Sequence, residues 1–499
     1  MEPDKRLNEA RELVNQDHFF EAVAAYEKLA RVYSRVAQIW FEYSCAAGNA
    51  RQMDLMDRAW QRAQELDPAS YVMQLQMGHL CQNLRRFDKA RAAFERAAAL
   101  DPRSIDAQMA LAILFERNHQ FAEAREAVAS CLKLDPRDDQ ARYFSALLDR
   151  RENKLIEAER GLRDLIASGP RHQYVQYASR YELAEVLNRT DRFDEAMKML
   201  LEAKQLLRSL ANIDGMLAAY DEVARKFKSY TLGLPKNILR TWSREFPERL
   251  RGPMPRLAFL GGHPRSGTTL LEQILGAHPD VVAVDEPLAF ELTAVPLHNM
   301  SPQLPPARLN VIRRRYIEAI LAEVGNFREG QMILDKNPSP TTQLRIWLRV
   351  FPELRVIVAL RDPRDVVISC FFQNIVLNPV NANFLSLERT ARHYANLMDV
   401  WLEVRQWEGL TATETRYEDV VEDMAKEGRR VTEFLGLSWH KEQERFYEKS
   451  SKKRIHSPTY HDASQPVYKR SVARWTVFEK YLAPVLPVLE PYCRAFGYE

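Results

Sequence analysis

The sequence predicts two architectures in tandem: an α-helical repeat superhelix, then an α/β domain with a central parallel sheet. Two observations predict it. Proline recurs at Pro68, Pro102, Pro136 and Pro170 at one constant step, and a fixed period of this size, about 34 residues, marks stacked helical hairpins. Just past the midpoint of the 499-residue chain, the glycine-rich run "GGHPRSGTT" joins an apolar strand to a helix, the signature of a phosphate-binding turn in an α/β sheet.

The repeats come first. Within one step, Met77 and Gly78 lie on a first helix, and Ala90, Phe94 and Ala97 on a second that ends before Asp101 and Pro102. The next unit repeats this with Leu111, Ala112, Ala124 and Cys131, and a later one, shifted by four residues, with Leu183, Ala184, Ala196, Leu200 and Ala203. These positions resemble the tetratricopeptide repeat. One such helix pair cannot bury its apolar face alone, so about five or six units between Lys5 and Leu210 are expected to stack into a superhelix with a concave groove. The groove would take a peptide or protein partner; bracing the second domain or pairing two chains is the open alternative. We place the repeat domain at 1–210, a helical linker at 211–255, where the period is lost, and the α/β domain at 256–499.

In the second part, strands are expected at Leu257 to Leu260, around Val281 to Val284 and at Val356 to Leu360, with a helix from Thr268. Continuous apolar strands separated by helical stretches imply a parallel sheet covered on both faces. The proline-rich segment "VPLHNMSPQLPPARL" is expected to be a mobile loop.

Composition narrows the class. The 71 Lys and Arg nearly balance 68 Asp and Glu, leaving a formal charge of +3, so no global field points to nucleic acid and any anion site must be local. Five cysteines without C-x-x-C spacing fit a reducing compartment. The polar N-terminus and the lack of an apolar run of membrane length lead us to expect a cytoplasmic protein without a membrane anchor.

Gly262 and Gly267 have P-loop spacing, but Thr268 stands where a nucleotide triphosphatase carries its lysine. Backbone N–H groups, the positive helix end and the hydroxyls of Ser266, Thr268 and Thr269 make an anion cradle. The cation is Arg265, inside the loop, whose fork can grip two anionic groups. A second element, "RDPRDVVIS", sets Arg361 at a strand's carboxyl end and Ser369 eight residues later on the next helix, where open α/β sheets bind ligands. No His/Cys cluster has metal spacing.

Together these residues resemble the sulfotransferase superfamily that uses 3'-phosphoadenosine 5'-phosphosulfate (PAPS), and among its members protein-tyrosine sulfotransferases and bacterial proteins that fuse tetratricopeptide repeats to such a domain. The resemblance implies a P-loop-like sulfotransferase domain in which Arg265, Ser266, Gly267, Thr268 and Thr269 hold the 5'-phosphosulfate. It implies that Arg361 and Ser369 hold the 3'-phosphate and that Tyr417 lies beside the adenine. It also implies that Glu286 in "VDEPLAF" is the catalytic base and Lys336 in "DKNP" the transition-state lysine, with Arg265 helping on the leaving side and no metal required. Asp285 is the nearest rival as base. The sequence departs from the family in its tail, where Ala473 replaces a serine two residues before Trp475; Ser471 is the nearest hydroxyl. Against this reading stand an ATP-dependent P-loop kinase, which the missing lysine disfavours, and a repeat scaffold with an inactive nucleotide-binding domain.

Overall fold

The computed structural model describes residues 3–252, 254–287, 289, 304–374, 376–450 and 471–498. It divides into two compact units, Met1–Val175 and Gln176–Glu499.

The first unit is helical throughout. Helices of 13 or 14 residues alternate from Pro3–Asn15 to Leu155–Ala167, and each packs on the next in five successive pairs. The small residues do what the sequence suggests: a Cβ on Gly78 would sit 2.3 Å from the Phe94 ring, so only glycine lets that buried ring lie against the first helix. Met77, Ala90, Phe94 and Ala97, and in the next pair Ala112, Ala124 and Cys131, are buried.

The turn inside each pair carries a second, backbone record of the period. Asp17, Arg51, Arg85, His119 and Asn153 all adopt φ between 58° and 62° and recur at the same constant step as the prolines. The next such residue, Asp191 (φ 59°), follows after a longer step, because the helix before it, Gln173–Arg189, has 17 residues. This is the four-residue shift seen in the pattern Leu183–Ala203.

The second unit holds a five-stranded, all-parallel sheet: β1 (Arg256–Gly262), β2 (Val281–Asp285), β3 (Met332–Lys336), β4 (Arg355–Leu360) and β5 (Thr411–Arg416), in the order β2-β3-β1-β4-β5. Two of these strands lie outside the sequence expectation. β3, "MILDK", is short and ends in two charges, and β5, "TATETR", is a polar edge strand; neither gives the apolar run that marks β1 and β4. The central strands bury Ala258, Leu260, Met332, Leu334, Ile357 and Ala359 against Leu271, Leu275, Val431 and Leu435. Of the expected mobile loop, the residues up to Gln303 lie outside the described residues; Pro306 to Leu309 open the helix Pro306–Val324. Among the described residues, no helix is long and apolar enough to cross a membrane.

Two fully buried histidines sit behind β1. His263 hydrogen-bonds His393 of the helix Leu387–Val404 at 2.8 Å. Burial pushes His263 down to about 4, against its bond to Pro264, and burial, then His263 and Arg389, hold His393 well below its ordinary value. The other faces of the pair are aromatic: Tyr220, Phe384 and Tyr394.

Two expectations follow. Gly78→Val forces the Phe94 ring to move and should lower the stability of the helical array by about 1–3 kcal/mol, read as a fall in denaturant midpoint by circular dichroism; an unchanged midpoint means the helix pair gives way freely. Both histidines have depressed folded pKa values, so their contribution is intact above about 6.5, where the unfolded chain is also neutral, and is lost as pH falls below it, for His263 through about 4. Each should cost about 1.4 kcal/mol per pH unit in that window. Denaturant titrations at pH 7.5, 6 and 5 check this, and in His263→Asn the slope should shrink by one histidine's share.

Candidate functional site

Parallel strands bring their carboxyl ends to one edge, and each candidate follows the end of a strand. β1 runs into the glycine loop, Glu286 follows β2, Lys336 closes β3, Arg361 follows β4 and Tyr417 follows β5. The sheet order therefore lays them out as Glu286, Lys336, loop, Arg361, Tyr417. The loop leaves β1, between β3 and β4, where the connections diverge and ligands of open sheets bind.

The loop's shape is set by close approach. A Cβ on Gly262 (φ 126°) would fall 2.3 Å from the Ala359 carbonyl oxygen, and one on Gly267 (φ 87°) 2.6 Å from the Tyr417 ring. The Gly262 N–H donates to Thr341 Oγ1 at 2.9 Å, and that buried hydroxyl donates to the Pro338 carbonyl at 2.7 Å. Sequence reasoning does not find Thr341; one of two adjacent threonines in "PSPTTQ" carries no pattern that singles it out. The Ser266 N–H returns to the His263 carbonyl at 3.1 Å. Gly267 then caps the helix Thr268–Gly276 without a side-chain acceptor, which aims that helix's first N–H groups and dipole at the loop's concavity. Ser266, Thr268 and Thr269 are buried beneath it.

On one side of the loop stands a group of arginines. Arg265, in the left-handed region (φ 77°), donates from Nε to Ser369 Oγ at 3.0 Å. Arg361 donates to the Arg265 carbonyl at 3.1 Å and to the Ser471 carbonyl, and lies 4.9 Å from the centre of the Tyr417 ring. Ser369, on the helix Pro363–Phe371, is thus tied to the glycine loop itself. The tail contributes the backbone of Ser471 and the side chain of Arg474, which lies over Phe372 at 4.2 Å. Burial, with Arg361 and Arg265 nearby, lowers the Arg474 pKa against Glu185 and Asp365. Arg474 Nε and Nη2 and Arg361 Nε are buried without a hydrogen-bond partner among the described residues. Like charges gathered around orphaned donors are costly for a protein alone, and an anion of several oxygens would satisfy them. Sequence reasoning does not find Arg474 either; the visible departure in the tail is the serine lost beside it. The recess bounded by Ser266, Gly267, Leu270, Leu271, Ala359, Thr415, Tyr417 and Val420 measures about 10 Å³, too small for a purine ring.

On the other side, Lys336 is 1% exposed and ion-paired to both Asp285 and Glu286, the latter at 3.0 Å. Burial opposes its charge, but Asp285 and Glu286 outweigh burial and raise its pKa, so it is a permanent cation. The two acids differ sharply: the Asp285 side chain is 4% exposed and that of Glu286 is 44%. Glu286 is turned outward by a left-handed backbone (φ 50°), held by its N–H bond to the Lys336 carbonyl at 2.8 Å. Behind them, burial lifts Asp335 to about 7 against its bond from Tyr316 and the charge of Lys336.

The sequence reading sets Arg265 to act beside Lys336. In the structure its Nε hydrogen bond points it to the Ser369 side, because the left-handed loop residue projects toward the helix Pro363–Phe371.

A strand, a lysine-less glycine loop and a helix, with basic groups beyond the neighbouring strands, define a phosphate-loop-like α/β domain. Residues 257–441 match the sulfotransferase family and residues 75–139 the tetratricopeptide repeat. A sulfotransferase-family domain thus follows a tetratricopeptide-repeat region in this chain. It is similar to an uncharacterized protein of Aquifex aeolicus (26% identical over 333 residues, 62% of this chain and 41% of that protein). It is also similar to protein-tyrosine sulfotransferase A of Caenorhabditis elegans (25% over 198 residues, 36% of this chain and 50% of that one). The chain thus spans half or less of the length of these two relatives. Among solved structures, the sulfotransferase domain of the Synechococcus PCC 7002 olefin synthase aligns at 18% identity and a TM-score of 0.34, covering 50% of this chain and 97% of that one.

Gly267→Ala should destabilise the second unit by about 2 kcal/mol, part from the left-handed backbone and part from the Tyr417 contact. In a Tyr417→Ala background the cost should drop to about 1 kcal/mol, the backbone share alone. A double-mutant cycle with no coupling would mean that the two residues do not press on each other.

Proposed function

We propose that this chain transfers a sulfuryl group from PAPS to a hydroxyl acceptor, the acceptor being a tyrosine of a protein or peptide recruited by the repeats. The observation that carries the reading is the order along the sheet edge: an outward acid beside a fixed cation, then an anion cradle, then converging guanidinium groups.

PAPS, when bound, supplies an activated sulfuryl group on a phosphate leaving group, between a 5'-phosphosulfate and a 3'-phosphate. The orphaned donors of Arg361 and Arg474 fit a phosphate, and Arg361, Ser369 and Arg474 would hold the 3'-phosphate. Ser266, Gly267, Thr268 and Thr269 would hold the 5'-side through N–H and hydroxyl groups, with Arg265 bridging the two. Tyr417 would flank the adenine after moving off Gly267.

Glu286 takes the proton of the acceptor hydroxyl as its oxygen bonds to sulfur; the bond from sulfur to the bridging oxygen breaks, and that oxygen keeps the electron pair. Lys336, a cation that does not titrate near neutral pH, offsets the charge that develops there. Asp285 anchors Lys336 from within, and its burial removes it as a rival base. A relation to protein-tyrosine sulfotransferases and a repeat array, an architecture that commonly grips extended peptides, support a polypeptide acceptor.

Glu286→Gln should cut the rate of labelled-sulfate transfer by about 10² to 10⁴ while leaving 3',5'-ADP affinity nearly unchanged, and Arg361→Ala should weaken 3',5'-ADP by about 2–4 kcal/mol. Calorimetry and a radiolabelled transfer assay read the two effects separately. Tighter binding of ATP than of 3',5'-ADP would favour the kinase reading instead. Donor binding without transfer to any hydroxyl acceptor would favour a scaffold with an inactive nucleotide site.

A further inference from the structure

Two histidines outside the proposed chemistry are locked into the start of the glycine loop. His263 Nδ1 lies 2.7 Å from the carbonyl oxygen of Pro264, and its Nε2 lies 2.8 Å from His393 Nδ1. A carbonyl oxygen only accepts, so the proton is on His263 Nδ1. In the neutral ring Nε2 is then an acceptor, and His393 Nδ1 must donate to it. Both rings are fully enclosed, with Tyr220 stacked on His393 at 5.3 Å and Phe384 and Tyr394 closing the remaining faces. The charged side chain that acts on the pair is Arg389, which disfavours a second positive charge there. The Cys370 thiol approaches the same Pro264 oxygen from behind at 3.7 Å.

The Pro264–Arg265 peptide is trans. In a planar trans peptide the carbonyl and the following N–H point in opposite directions. With the Pro264 oxygen drawn toward His263 and Cys370, the Arg265 N–H is turned away from that pair. The opposite orientation of this one peptide would put a carbonyl oxygen where that N–H now points.

We infer that His263 and His393 are positioning residues that fix this peptide, so that the loop presents the Arg265 N–H to the 5'-side of the nucleotide. The inference rests on the proposed donor. His393 acts one step removed, by holding His263 in the tautomer whose Nδ1 carries the proton.

Calorimetry with 3',5'-ADP and with 3'-AMP isolates the 5'-side, since the two probes differ only in the 5'-phosphate. His263→Leu should lower 3',5'-ADP affinity about tenfold and leave 3'-AMP affinity unchanged, the loss of one hydrogen bond to an anion. His263→Asn keeps a donor where Nδ1 stands and should restore the ratio of the two affinities; His393→Leu should lower it and His393→Asn restore it. A ratio unchanged in His263→Leu, an equal loss for both probes, or failure of His263→Asn to rescue would overturn the inference. Should the leucine variants not fold, side-chain ¹⁵N shifts of the unmodified protein at pH 7.5 decide it: His263 protonated on Nδ1 alone is expected, and Nε2 protonation overturns it. If the unmodified protein binds 3',5'-ADP no better than adenosine, the donor reading falls. The tautomer, together with a shift of the Arg265 amide on adding inorganic phosphate, then still tests the histidine pair.

Discussion

All five strands of the sheet run the same way, and the site depends on that single constraint. A parallel sheet has one carboxyl edge, and side chains just beyond it are neighbours at the spacing of strands rather than of sequence. Glu286 and Arg361 are remote in the chain yet stand three strand positions apart on one edge, with the glycine loop between them. An antiparallel strand anywhere in the order would send one of these groups to the far edge. The buried core at Leu260, Leu334 and Ile357 holds the strands that carry that edge.

The two sides of the edge handle charge in opposite ways. Lys336 is sunk between Asp285 and Glu286, and its charge is already balanced by the protein. The arginines opposite share one buried carboxylate, Asp365, 3.8 Å from Arg361, and keep buried donors on Arg361 and Arg474 that no described group satisfies. A balanced cation is rigid and responds to charge that appears late; an unbalanced cluster attracts anions from the start. The division suits a site that must hold one molecule firmly at one end and change it at the other.

Much of this could be read in the chain. The glycine loop, the "RDPRD" element, three strands and the helix period are local patterns, and local patterns survive in a single sequence. What could not be read depends on partners distant in the chain. β5 is a strand because β4 templates it, not because "TATETR" is apolar. Arg474 matters because the tail returns to Arg361, and Thr341 because it meets Gly262. Asp285 and Glu286 are adjacent acids in the sequence; only burial of one and the left-handed backbone of the other separate an anchor from an outward-facing group. Arg265 was legible as a cation in the loop, but the direction of its side chain was not.

The six left-handed turn residues of the helical array, Asp17 through Asp191, bear on how the units of such an array are recognised. Aspartate, asparagine and histidine tolerate this backbone angle better than most residues, yet arginine holds it at two of the six positions, so what recurs there is a torsion rather than one side chain. The tetratricopeptide match spans only residues 75–139, whereas the torsion recurs well to either side of it. The torsion therefore counts units where the side chains no longer match, and the longer step before Asp191 falls within the 17-residue helix Gln173–Arg189.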